Sequence, residues 1–201
     1  MQGRNARGLD PRKSQCPHRR GVLQTPPFRD RVQTPCSRQH RVKHSVGVGE
    51  MHVSKEIDDT LIAFGLGSCL GVIVYDPVAH VGGILHSMLP LASFDPEKAI
   101  RNAAMFVDTG VPSLFRSCYE QGALKYRMTV KIVRGATISI AEENDLFQIG
   151  RKNIIVLKRI LEQSGISIQA SDVAGRVSRT VTLTVSNGDV HVRSNDTLKF
   201  L

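Results

Sequence analysis

A cysteine set among small residues and a histidine seventeen positions later are the side chains best placed to do chemistry in this sequence. Gly65-Leu66-Gly67-Ser68-Cys69 puts three small residues between two apolar runs, so the backbone can bend tightly and leave a thiol at the mouth of the bend. A thiol there is a candidate nucleophile. The ordinary alternative is a small buried hydrophobe, the usual fate of a free cysteine. His86 lies in Gly82-Gly83-Ile84-Leu85-His86-Ser87-Met88-Leu89-Pro90, on the strand expected to pair with the one that follows Cys69. An imidazole there would take the thiol proton and later protonate a leaving group. Its ordinary alternative is a histidine satisfied in the core or facing solvent. Cys118 sits on an apolar helical stripe and reads as core, and His52, His80 and His191 have no comparable setting.

Two other motif readings fit less well. A dinucleotide-binding loop wants glycine where Leu70 follows Gly65-x-Gly67. Gly67-Ser68-Cys69-Leu70-Gly71 has the form of the α/β-hydrolase nucleophile elbow with cysteine for serine, and Asp172 and His191 follow in the right order. The chain lacks the long alternation of strands and helices which that architecture needs, so this remains a distant alternative.

The elements around the pair are legible from pattern. Val46 to Gly49 opens as a short strand, Thr60 to Leu66 and Leu70 to Tyr75 are apolar runs of buried-strand length, and Val81 to Met88 is the hairpin partner of the latter. Pro96 starts a helix whose stripe is Ile100, Ala103, Ala104 and Val107, with Pro112 expected to kink or divide it. Met128 to Val133 reads as a half-buried strand, Asn153 to Ser164 as an amphipathic helix ended by Gly165, and Ile166 to Ala170 as a strand. Arg179 to Val185 and Val190 to Arg193 form a closing hairpin through a type I′ turn at Asn187-Gly188. The mixture predicts an α+β domain: a layered mixed β-sheet core with flanking helices.

Charge divides the chain. Of 201 residues with net charge +9, residues 1–45 hold eleven Lys/Arg against two Asp/Glu, and the remaining sixteen of each sign cancel. A neutral domain lacks the cationic surface that drives nucleic-acid affinity. Five of the nine prolines fall in residues 1–45, which lack apolar periodicity, so the expected organisation is a disordered basic N-terminal tail (1–45) and a folded domain (46–201). Arg19-Arg20 is followed by too short an apolar stretch for an export signal, and no run is long enough for a membrane span. Cys16, His18, Cys36, His40 and His44 match no familiar zinc spacing. With four dispersed cysteines and no C-x-x-C pair, the expectation is a reducing, cytoplasmic setting without metal or cofactor.

The residues Gly67-Ser68-Cys69, Tyr75-Asp76-Pro77, Gly82-Gly83 and His86-x-Met88-Leu89-Pro90 resemble, at matching spacing, the CheD family of chemoreceptor glutamine deamidases. Val46-Gly47-Val48-Gly49-Glu50, Phe106 to Thr109, Gly135-Ala136, Ile149 to Asn153 and Asp172 to Val181 fit as well. The resemblance implies a CheD-like cysteine hydrolase fold and hydrolysis of glutamine side chains on methyl-accepting chemotaxis receptors, releasing ammonia. It also implies Cys69 as nucleophile, His86 as general acid and base, and a CheC-type phosphatase as a possible partner. Backbone N–H groups around Gly67, Ser68 and Cys69 are the expected oxyanion donors. The family carries a catalytic threonine six residues before the cysteine, where this chain has Ala63; Arg134 and Ala174 stand where it has glycines. The missing hydroxyl supports a second expectation, a regulatory module that binds receptors and phosphatase with weakened catalysis.

Overall fold

Two seven-residue strands buried along their whole length, Leu70–Asp76 (β4) and Val81–Ser87 (β5), sit at the centre of the molecule. Strands covered on both faces read as continuous apolar runs rather than as alternations. The computed structural model describes residues 42–134, 149–173, 175 and 177–201. The remaining strands are β1 (Lys43–Val46), β2 (Glu50–Ser54), β3 (Thr60–Leu66), β6 (Thr129–Arg134), β7 (Ile168–Asp172), β8 (Arg179–Thr184), β9 (Asp189–Ser194) and β10 (Thr197–Phe200). The helices are α1 (Pro96–Arg101), α2 (Val107–Glu120) and α3 (Ile149–Gln163).

The strands make two mixed five-stranded sheets, ordered β1-β3-β8-β9-β10 and β2-β5-β4-β6-β7, with β1/β3 and β6/β7 the parallel pairs. Leu61, Leu66, Ile73, Ile84, Val133, Val181, Leu183 and Val192 fill the space between the sheets. Val72, Val74, Leu85, Val111, Leu114, Leu157 and Leu161 fill the space between the second sheet and the helices. The result is a sheet–sheet–helix stack, the α+β layered mixed-sheet core with flanking helices that the sequence pattern predicts.

Several boundaries differ from expectation. The opening strand is Lys43–Val46, three residues earlier than expected, and Val46 to Gly49 ends it and turns into β2. The expected first helix is broken at Asn102 into α1 and a 3₁₀ turn at Ala103–Met105, while Pro112 lies inside α2. Ile100, placed on the buried stripe by periodicity, is 87% exposed. α3 begins four residues before the predicted start, and it ends as expected at Gly165, which has φ +63° and whose successor Ile166 donates to the Leu161 carbonyl. The β8–β9 turn is a four-residue loop in which only Gly188 is left-handed, rather than a type I′ turn. A Cβ at Gly188 would collide with the Tyr75 ring. β10 was not anticipated; all four of its residues are exposed, so no core pattern marks it. Residues 1–41, Gly135-Ala136 and Ala174 lie outside the described residues.

Asp76, at the end of β4, ties the sheet to the helix layer. Its Oδ1 accepts from the Val78 and Ala79 amides, and its Oδ2 accepts from the Leu124 amide and from Nε of Arg127, whose second nitrogen lies 2.8 Å away. Burial pushes this carboxyl upward in pKa, but the Leu124 and Ala79 amides, Arg127 and the Val78 amide together hold it below the ordinary range. A carboxylate whose folded pKa is lowered stabilises fully above the unfolded value of about 4, and that contribution disappears as pH falls through the folded value. Replacing Asp76 with Ala strands Arg127 and three amides, so chemical denaturation at pH 7 should find the variant less stable by about 3–5 kcal/mol. The loss should shrink as pH approaches 3; a difference independent of pH would mean that the carboxylate is not the anchor.

Candidate functional site

The site lies where β3 hands over to β4. Between Ala63, opposite Val181, and Leu66, opposite Arg179, β3 spends one residue more than β8, a bulge at Phe64-Gly65 with Gly65 at φ +68°. The bulge leaves Phe64 55% exposed and returns Leu66 to the buried layer. Gly67, Ser68 and Cys69 follow as a bend before β4. Cys69 is buried at 9% exposure and packs with the residues that separate the sheets.

His86, on β5, is wholly buried and stands opposite Gly71 of β4. Cross-strand partners share a face, so Glu50, His86, Gly71, Val133 and Asp172 form one row across the second sheet, on the side facing the first. Cys69, two residues before Gly71, shares the buried cluster of Val133 between the same two sheets, and no hydrogen bond joins its thiol to Nε2 of His86. Glycine at 71 leaves room for the Leu66 side chain, which a Cβ there would meet at 3.0 Å.

The β1–β2 segment fixes the imidazole. Nδ1 of His86 lies 3.4 Å from the carbonyl of Val46, and the His86 carbonyl accepts from the Gly49 amide at 2.7 Å. A carbonyl can only accept, so that contact puts the proton on Nδ1 and leaves Nε2 with a bare lone pair. Nε2 is buried and has no hydrogen-bond partner among the described residues. Burial lowers the His86 pKa, against the Val46 carbonyl and the Glu50 carboxylate, which raise it. Burial also raises the Cys69 pKa, against a smaller lowering from its own backbone amide. Both groups therefore rest neutral at pH 7, which differs from the thiolate-rich cysteine that a polarising histidine leads one to expect.

The threonine position holds Ala63, wholly buried between the sheets and paired with Val46. The residue lacking a hydroxyl thus adjoins the residue whose carbonyl supports the ring. Thr60 pairs with Thr184 on the outer face of the first sheet and takes no part. Arg134 braces the end of β6 against α3: a Cβ on Gly150 would meet its Nε at 2.7 Å. The Arg179 guanidinium is buried, paired with both Asp172 oxygens at 3.1 and 3.2 Å and bonded to the Arg134 carbonyl. The elbow reading is not assembled, because Asp172 is engaged by Arg179 and His191 lies against Phe200, rings tilted by 56°, over the outer face of the first sheet. Cys118 is fully buried on the inner face of α2, its pKa pushed up to about 12 by burial and by Asp76.

Two contributors escaped sequence reasoning. The Val46 carbonyl carries no residue-type signal, and Glu50 gains its place only through register, opposite His86 with its carboxylate accepting from the Gly47 amide at 2.7 Å. Asn153 was read as the start of a helix; it is buried in α3 and donates to the carbonyl of Met88, holding the strand end two residues beyond His86.

A family model described as CheD chemotactic sensory transduction matches residues 88–194. "Probable chemoreceptor glutamine deamidase CheD 1" of Syntrophus aciditrophicus (strain SB) is 41% identical over 150 residues, 75% of this chain and 92% of that protein. The chain belongs to the CheD family. A CheD relative in Anaeromyxobacter dehalogenans (strain 2CP-C), named "Probable chemoreceptor glutamine deamidase CheD 2", is 37% identical over 76% of this chain and 94% of its own length. A protein of Pyrococcus abyssi (strain GE5 / Orsay), "Probable chemoreceptor glutamine deamidase CheD", is 38% identical over 74% and 89%. The family model begins beyond His86, whereas a 150-residue match within 201 residues necessarily spans both Cys69 and His86. Among solved structures, the Bacillus licheniformis hypothetical protein YfiH aligns with 60% of this chain and 49% of its own at TM-score 0.39 and 14% identity.

If burial governs the resting thiol, iodoacetamide labelling of Cys69, followed by peptide mass spectrometry, should rise with an inflection above the pH of about 8.5 typical of free cysteine. An inflection well below that value would indicate a resting thiolate–imidazolium pair.

Proposed function

We propose that this CheD-family protein is a protein-glutamine deamidase that hydrolyses selected glutamine side chains on the cytoplasmic helices of methyl-accepting chemotaxis receptors. The names of its relatives support the substrate class, and the single observation that carries the chemistry is a buried Nε2 of His86 without a hydrogen-bond partner among the described residues, on the sheet face against which the Cys69 cluster packs.

In this reading Nε2 takes the thiol proton as the sulfur attacks the carboxamide carbon, forming a C–S bond and an oxyanion. Amide N–H groups in the Gly67–Cys69 bend stabilise that oxygen. The imidazolium then protonates the departing nitrogen, ammonia leaves, and the thioester remains. Nε2 next takes a proton from water, whose oxygen attacks the thioester carbon; the thiolate leaves, is reprotonated, and glutamate is released. The Val46 carbonyl keeps the proton on Nδ1 throughout and stands in for an orienting side chain. The mechanism asks for no metal or cofactor. Lys43, His44 and Ser45, expected in the tail, pair with β3 as part of β1 and so belong to the domain; the tail we propose is limited to residues 1–41.

Ala63 favours the second reading, a module that docks receptors and a CheC-type phosphatase with little turnover, since loss of an orienting partner can cost orders of magnitude in rate. Ammonia release from a purified receptor cytoplasmic fragment distinguishes the two. The wild type should release ammonia, Cys69→Ala should fall to background, and His86→Ala should lose about 100-fold or more. A wild-type rate equal to that of Cys69→Ala would leave only the docking module. Because burial lowers the His86 pKa, and the base must be neutral, the acid limb of kcat/KM should lie below pH 6.5. A limb centred above pH 7 would contradict this. Ala63→Thr should raise kcat if the absent hydroxyl limits the rate; an unchanged kcat in a folded variant would assign the whole orienting role to Val46.

A further inference from the structure

We propose that His44, His52 and Asp59 form a binding site for a divalent transition-metal ion, with zinc the best match to the donors. One imidazole comes from β1, one from β2, and the carboxylate from the loop entering β3, so the fold alone brings them together. Their candidate ligand atoms lie within 4.8 Å of one another. Zinc bonds of about 2.0–2.2 Å place tetrahedral donors about 3.3–3.5 Å apart, so small side-chain rotations close the set.

Three details distinguish this cluster from a chance surface grouping. Nε2 of His44 is buried and lies 2.9 Å from Oδ2 of Asp59, so an imidazole nitrogen and a carboxylate oxygen already face each other. The His44 and His52 rings are stacked, with centroids 4.3 Å apart and an interplanar angle of 17°, so the two imidazoles are held side by side facing one place. The carboxylate is held as a ligand would be: Ser54 Oγ donates to Oδ2 at 2.6 Å, and the backbone of Asp59 is fixed by bonds to Glu56 and Val185.

Two histidines and a carboxylate leave a fourth position for water, and the 29% exposure of the His44 side chain provides entry. The ion would join β1 of one sheet to β2 of the other. Val46, two residues beyond His44 on β1, supports the His86 ring, so a bound metal would stiffen the strand that orients the imidazole. This role does not depend on the deamidase reading. His44 was grouped by sequence with Cys16, His18, Cys36 and His40; its partners in the fold are different residues.

The test is titration of the chelator-treated full-length protein with zinc chloride at pH 7.5 by calorimetry, paired with the visible spectrum after adding cobalt(II). We expect one ion per chain at micromolar or tighter affinity and a metal-dependent rise in Tm. The cobalt spectrum should show d–d bands without a thiolate charge-transfer band. His52→Gln should weaken binding about 100-fold, and Ser54→Ala about 10-fold, with circular dichroism unchanged. Three results would overturn the proposal: no binding, unchanged affinity in folded His52→Gln, or a thiolate charge-transfer band placing the metal on cysteine.

Discussion

A histidine with no exposure at all, between two sheets, is the constraint around which the site is arranged. One ring nitrogen faces the Val46 carbonyl, the other has no partner among the described residues, and the neighbouring position across the strand is glycine. A buried polar nitrogen without a partner costs stability, commonly about 1–3 kcal/mol. The surrounding framework offsets that cost: β4 and β5 are sealed on both faces, and the helix layer closes one side. In the proposed chemistry the same lone pair is the proton acceptor, so a local deficit in the folded state becomes reactivity.

The backbone does much of the positioning. Residues 46–50 reach His86 from the edge of the second sheet, through the Val46 carbonyl, the Gly49 amide and the register that sets Glu50 opposite the ring. On the other flank, the bulge at Phe64-Gly65 and the bend at Gly67–Cys69 turn the chain from the first sheet to the second and bury Cys69 in the cluster between them. Arg179, buried and paired with Asp172, joins the ends of both sheets close to this bend. Rigid elements on every side suit a reaction whose two partners must be placed to within a fraction of an ångström.

What the sequence made legible was whatever leaves a mark on residue type. Continuous apolar runs gave β3, β4 and β5; small residues marked the bend at Cys69; and the Cys/His spacing suggested the pair and the family. Ile100 failed because a stripe read across Asn102 ignored the break that ends α1 there. The Gly188 loop was misread because Asn-Gly is compatible with more than one turn, and the Tyr75 ring packed against Gly188 is a tertiary contact that no local pattern reveals. β10 was invisible because an exposed edge strand of four residues buries nothing that periodicity can detect. The Val46 carbonyl is the deepest omission. Backbone oxygens are identical at every residue, so a carbonyl in the place of an orienting side chain emerges only from coordinates. Ala63 reads as a deletion in sequence and, in the fold, as the neighbour of the group that supplies the contact.

The most direct measurement is a long-range nitrogen–proton NMR correlation of His86 across pH, in the wild type and in Cys69→Ser. The account predicts a neutral ring at pH 7 with its proton on Nδ1, a pKa below 6.5, and an Nε2 resonance that responds to the Cys69 substitution. A ring protonated on Nε2, a charged ring at neutral pH, or an Nε2 signal indifferent to residue 69 would contradict it.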